Sequence, residues 1–151
     1  IEEFRTTLFR QTMFAEFEML THKEVENGGV LTAEWMCKLY NDLNHQYFGP
    51  ALAPDEYIQY EWARIPHFYR AFYVYQYATG YSAATAISAK ILAEGEAARK
   101  NYIEFLKSGS SNDPVELLKI AGVDMSSPEP IRMAMETFKG LVEELEQLMQ
   151  A

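Results

Sequence analysis

The sequence predicts an all-α fold of six to seven helices, in a single domain of 151 residues. Three observations carry that expectation. Apolar residues recur at three- to five-residue steps almost throughout, the spacing of one helix face. No stretch alternates apolar and polar residues long enough for a half-buried strand. Helix start and stop residues punctuate the chain, with Thr32, Asp113-Pro114 and Ser127-Pro128 as openings and Gly28, Gly49, Gly95 and Gly122 as closings.

The first helix is expected over about residues 1–27, where Phe4, Leu8, Met13, Phe17 and Leu20 recur before Asn27-Gly28-Gly29 stops it. A second begins after Thr32, turns Trp35, Met36, Leu39, Leu43 and Tyr47 inward, and ends before Gly49-Pro50. A loop at residues 50–54 leads to a short helix at about 55–63, which Pro66 breaks. The longest segment is expected at about 68–94. Gly80 inside it costs about 1 kcal/mol relative to alanine, and with Ala83, Ala84, Ala86 and Ala89 it suggests a backbone packed close by. A helix at about 96–107 follows, then one from Pro114 with Gly122 just past its end. The last runs from about 128 to 149, with Ile131, Met135, Phe138, Leu141, Val142, Leu145 and Leu148 on one side and Glu143, Glu144 and Glu146 in water.

Composition narrows the function classes. A hydrophobic content of 48% is ample for a core at this length. The net charge is −9 and the 13 basic residues are scattered, which argues against a nucleic-acid or anionic-membrane partner. The lone Cys37, in EWMCKLY, allows no internal disulfide and reads as a buried, inert thiol. No apolar run approaches the ~20 residues that span a bilayer, and no signal peptide opens the chain. A cytoplasmic location is expected. The chain starts at Ile1, in mid-helix and without a cap, as expected of a piece of a longer protein.

The common catalytic motifs are missing. His22-Lys23-Glu24-Val25-Glu26 lacks the second histidine of a His-Glu-x-x-His zinc motif. His22, His45 and His67 fall in separate segments, and there is no glycine-rich phosphate loop and no Gly-x-Ser-x-Gly elbow. What stands out is HFYRAFYVYQYATGY, residues 67–81, with five of the ten tyrosines behind one histidine. A core prefers side chains without a polar atom, because a buried phenol needs a partner. The segment is therefore an aromatic layer with wet edges, or a set of donors aimed at something bound. On a straight helix Tyr69, Tyr73 and Tyr77 share a stripe about 80° wide, while Phe68, Phe72 and Tyr75 share another. One straight helix cannot aim all of them at one ligand. Imidazole and phenol donors of this kind can hold the oxyanion of a tetrahedral intermediate.

At these residues the chain resembles the C-terminal part of oligoendopeptidase F, within the thimet-type zinc oligopeptidases. FRQTMFAEFE (9–18), EWARIPHFYRAFYVYQYATGYSAA (61–84) and FLKSGSSNDPVELLKIAGVDMSSPEPI (105–131) carry the match, the second most specifically. The resemblance implies a soluble, helical, intracellular peptidase that cleaves short peptides. Zinc, held by His-Glu-x-x-His and a further glutamate, would polarise the scissile carbonyl and activate water. Those residues would precede Ile1, so zinc belongs to the full-length protein, and the isolated chain is expected to bind none and to be inactive. By residue, the resemblance implies catalytic roles for His67 and Tyr75. It implies substrate binding for Tyr69 and Tyr73. The thimet branch has Tyr-Tyr-x-Tyr where this chain has Phe72-Tyr73-Val74-Tyr75, which leaves Tyr69 or Tyr73 as a second donor, and Tyr69 is the choice. The implied partner is an oligopeptide. The alternative is a non-catalytic helical interaction module. Phe4, Phe9, Phe14 and Phe17 fall on more than one side of the first helix, so an exposed apolar patch and self-association are expected there.

Overall fold

The structure is a computed structural model and describes residues 1–53 and 55–150. Pro54, in the expected 50–54 loop, lies outside the described residues. Among the described residues there is no strand. A π-helical lead-in, Phe4–Phe9, runs into α1 (Arg10–Glu26), followed by α2 (Ala33–Phe48). Two 3-10 turns, Ile58–Arg64 and Pro66–Tyr69, precede α3 (Tyr75–Glu94). Then come α4 (Glu96–Ser108), α5 (Pro114–Ile120) and α6 (Glu129–Gln150). The all-α class therefore holds.

The contacts divide into two compact units, Arg5–Ala78 and residues 1–4 with those from Thr79 onward. The core of the first unit is Met13, Phe14, Phe17, Tyr40, Leu43, Ile65 and Val74. The Phe17 and Tyr40 rings meet edge to face with centroids 5.4 Å apart, a geometry worth about 0.5–1.5 kcal/mol beyond burial. Tyr40 is fully buried, yet its hydroxyl has a partner, donating to Glu61 Oε2 at 2.6 Å. Arg10 and Arg64 both pair with the other oxygen of Glu61. Burial, then the bond to Glu61, pushes the Tyr40 phenol far above its ordinary value.

In the second unit Ala83, Ala86 and Ile87 of α3 pack with Ala121 and Val123. Phe4 sets its ring edge to face on Tyr81 and tilted on Phe138. The end of α5 is closed as its glycine predicts. Gly122 takes φ +78°, its N–H reaches the Lys119 carbonyl, and the Val123 N–H reaches that of Leu118. That is the Schellman pair of bonds, with Val123 in the core and Leu118 packed on the same cluster.

Four expectations are corrected. Residues 68–74 are not α-helical. The 3-10 turn at Pro66–Tyr69 and an extended Arg70 precede a bend, so α3 begins only at Tyr75, and the longest helix is α6 with 22 residues. The helical wheel drawn through Tyr69, Tyr73 and Phe72 therefore does not apply. The expected helix at 55–63 is the 3-10 turn Ile58–Arg64. The aromatic residues of the first helix form no exposed patch, because Phe4, Phe14 and Phe17 are buried and Phe9 is half-buried. Phe14 and Phe17 serve the first core, while Phe4 serves the second unit. Gly80 faces open space, since a Cβ there would meet nothing within 4 Å.

Candidate functional site

Two buried anchors, Ile65 and Val74, hold the chain to the first core. The segment between them loops outward. Pro66 opens the 3-10 turn, where its missing N–H costs nothing. Tyr69, 87% exposed, projects from the end of that turn, and Phe72 is half exposed beyond it. The stretch is thus divided: Phe68 packs on the first core, Tyr69 is presented outward, and Tyr75, Tyr77 and Tyr81 lie on α3.

The loop turns sharply at Phe72, the one non-glycine residue with positive φ, +55°, among the described residues. That conformation costs a bulky side chain about 1–2 kcal/mol. Two residues of α1 hold it. The Phe72 N–H donates to Glu18 Oε1 at 2.8 Å, and the Phe72 ring lies on His22 with centroids 4.6 Å apart. Glu18 and His22 are one helical turn apart, so both face the bend.

The bend brings His67 to the first turn of α3. His67 Nε2 is 3.1 Å from the Tyr77 hydroxyl, and the two rings meet edge to face at 5.5 Å. Tyr73 stacks on His67 at 5.9 Å and meets Tyr77 edge to face at 5.6 Å. The Arg70 guanidinium lies 4.6 Å from the centre of the Tyr73 ring. Hydrogen bonding to Tyr73, then partial burial, holds the Tyr77 phenol above its ordinary value. At neutral pH Tyr77 therefore keeps its proton.

Of the residues singled out in the sequence, His67 and Tyr73 come together. Tyr75 is half exposed on the first turn of α3, and the ring that meets His67 there is Tyr77, two residues on. Tyr69 sits on the lining of a cavity of about 220 Å³, with Phe17, Met36, Trp62, Ile65 and Phe68. Sequence reasoning missed Tyr77 as the partner of His67, because a helical 67–77 would hold the two apart. It also missed Glu18. A signal for Glu18 existed: a carboxylate interrupts the buried face made by Met13, Phe14 and Phe17.

Chemically the cluster offers phenol hydroxyls and an imidazole as hydrogen-bonding groups. Cys37 is a free thiol and buried. Among the described residues no three His, Cys, Asp or Glu side chains come together to hold a metal ion. The zinc that the resemblance implies finds no ligand set among the described residues. No helix of the described residues is long and apolar enough to cross a membrane.

Comparison with known proteins places this helical chain in a peptidase family. The family model "Peptidase family M3" matches residues 1–137. The chain is 55% identical over 149 residues to the oligopeptidase PepF of Bacillus subtilis, covering 99% of this chain and 22% of that protein. It is 46% identical over 150 residues to the plasmid oligoendopeptidase F of Lactococcus lactis subsp. cremoris, covering 99% of this chain and 25% of that one. The crystal structure of oligoendopeptidase-F from Enterococcus faecium superposes with a TM-score of 0.94 at 49% identity, covering 97% of this chain and 28% of that one. The chain belongs to peptidase family M3. It spans about a quarter of the length of the curated relatives it matches.

Proposed function

We propose that this chain is the C-terminal part of a cytoplasmic, zinc-dependent oligoendopeptidase that hydrolyses short peptides. The observation that carries the reading is the outward loop between Ile65 and Val74, which brings His67 and Tyr73 to Tyr77 of α3 in a chain that matches a peptidase family over residues 1–137. In this reading His67 and Tyr75 donate hydrogen bonds to the oxyanion that develops on the scissile carbonyl. Tyr69 and Tyr73 hold the substrate backbone, and Tyr77 orients the His67 imidazole. Zinc would supply carbonyl polarisation and an activated water, held by residues outside this chain. The chain's own contribution is binding, orientation and hydrogen bonding. The isolated chain is therefore inactive.

The test is to assay the longer protein and this chain on short peptides, with and without a metal chelator. The longer protein hydrolyses them, loses activity with chelator and recovers it with zinc; the chain alone does nothing. A longer protein that cleaves no peptide sinks the proposal. The second reading is a helical interaction module without catalysis. An upstream reading frame that lacks His-Glu-x-x-His would favour it.

A further inference from the structure

We propose that the Glu18 carboxylate, by accepting the Phe72 amide hydrogen, sets the bend that holds His67 against Tyr73 and Tyr77, and so acts as a positioning residue for the peptide-hydrolysing site. The inference rests on the function proposed above and adds a residue that none of its chemistry invoked.

Glu18 is only 5% exposed, on the buried face of α1. A carboxylate is costly to bury unless hydrogen bonds replace the water it loses. Among the described residues no cationic side chain forms an ion pair with it. Its partner is the backbone of a loop residue 54 positions away, at 2.8 Å. That residue is the strained one. Backbone held in a sparsely populated region persists only where its surroundings over-determine it. Here they do so twice, through the Glu18 oxygen on the N–H and the His22 ring on the side chain.

The bend stands between the two halves of the cluster. His67 lies before it, in the 3-10 turn Pro66–Tyr69, and Tyr77 lies after it, in α3. Only a reversal between them brings residues ten apart to 3.1 Å. Among the described residues Glu18 makes no hydrogen bond or ion pair with His67, Tyr73 or Tyr77, so its effect on them passes through the backbone at Phe72.

A purely structural Glu18 would lower stability and leave the active fraction with normal kinetics. A positioning Glu18 changes kcat in folded enzyme. The experiment uses the full-length enzyme with zinc bound and compares Glu18→Ala, Glu18→Gln and Glu18→Asp with His67→Ala. Misplacing a catalytic group by about 1 Å costs up to about a hundredfold in rate. Glu18→Ala is therefore expected to lower kcat about ten- to a hundredfold with KM little changed. Glu18→Gln, whose amide oxygen still accepts the Phe72 N–H, restores most of it. Glu18→Asp keeps the charge but shortens the reach, and falls with alanine, which keeps the test open if the alanine variant does not fold. In the wild-type enzyme the Phe72 amide is protected from hydrogen exchange, although the residue is half exposed. Wild-type kcat in Glu18→Ala or Glu18→Asp, a glutamine variant as slow as alanine, or an unprotected Phe72 amide each overturns the inference. If His67→Ala itself keeps full turnover, the proposed site fails and this inference with it. If only the Glu18 variants keep it, the site stands and the positioning role alone is lost.

Discussion

The Tyr77 hydroxyl lies 3.1 Å from His67 Nε2, and its ring meets that of Tyr73 edge to face. A hydroxyl held in this way ties the imidazole to α3 and limits its rotation. In the longer enzyme Tyr77→Phe is expected to lower kcat about tenfold, the scale of one lost orienting hydrogen bond. Adding it to His67→Ala costs little more, because the two act as a unit. Independent, multiplying effects in the double variant would contradict that coupling.

Tyr75 and Tyr69 divide the remaining work differently. Tyr75→Phe is expected to lower kcat by about 10²–10³ with a small change in KM, as for loss of one oxyanion donor. Tyr69→Phe and Tyr73→Phe, at substrate-binding positions, raise KM more than they lower kcat. Steady-state kinetics on one short peptide separates the cases. Near-normal turnover in Tyr75→Phe would remove its assigned role and leave Tyr77 as the phenol of the site.

The two glycines Gly122 and Gly80 should respond in opposite ways. Gly122 closes α5 at φ +78° and an added Cβ would press on the Lys90 side chain at 2.8 Å. Gly122→Ala is expected to destabilise by about 1–2 kcal/mol. Gly80 lies inside α3 with open space around it. Gly80→Ala is expected to stabilise by about 0.5–1 kcal/mol. Denaturant unfolding of both variants checks the pair. A destabilised Gly80→Ala would mean that something covers that face.

Tyr40 makes stability depend on alkaline pH. Its folded-state phenol titrates far above the ordinary value, because burial and then Glu61 favour the protonated form. The unfolded chain releases that proton near pH 10. The contribution is therefore complete below about pH 10 and falls by about 1.4 kcal/mol per pH unit above it. Burial, then Glu16, raises Tyr47 in the same direction. Tyr40→Phe should flatten the alkaline limb of the stability profile. An unchanged slope would show that Tyr40 is ionised in the folded protein.

Helix boundaries set by local chemistry were legible in the sequence. The Thr32 side chain accepts from Trp35 N–H, Asp113 from Val115 N–H, and Gly122 adopts the left-handed conformation. Each depends on residues within one turn. The stretch 66–74 was not legible, because aromatic rings at 67–69 and again at 72–73 can be drawn onto a helical face. Pro66 read as a break, and nothing local shows that it opens a second turn. The bend depends on Glu18, a contact across 54 residues that periodicity cannot reveal. His67 was legible only through resemblance, and its partner Tyr77 only through the bend. The aromatic residues of the first helix misled for a related reason: they supply two separate cores, which a single helical wheel reads as an exposed surplus.

The most direct test of the central claim is kcat and KM for His67→Ala in the full-length enzyme, on one short peptide and at equal zinc content. His67→Ala is expected to lower kcat about 10²–10³-fold with little change in KM. Turnover equal to wild type would contradict it, and the loop between Ile65 and Val74 would then serve packing or a partner instead of catalysis.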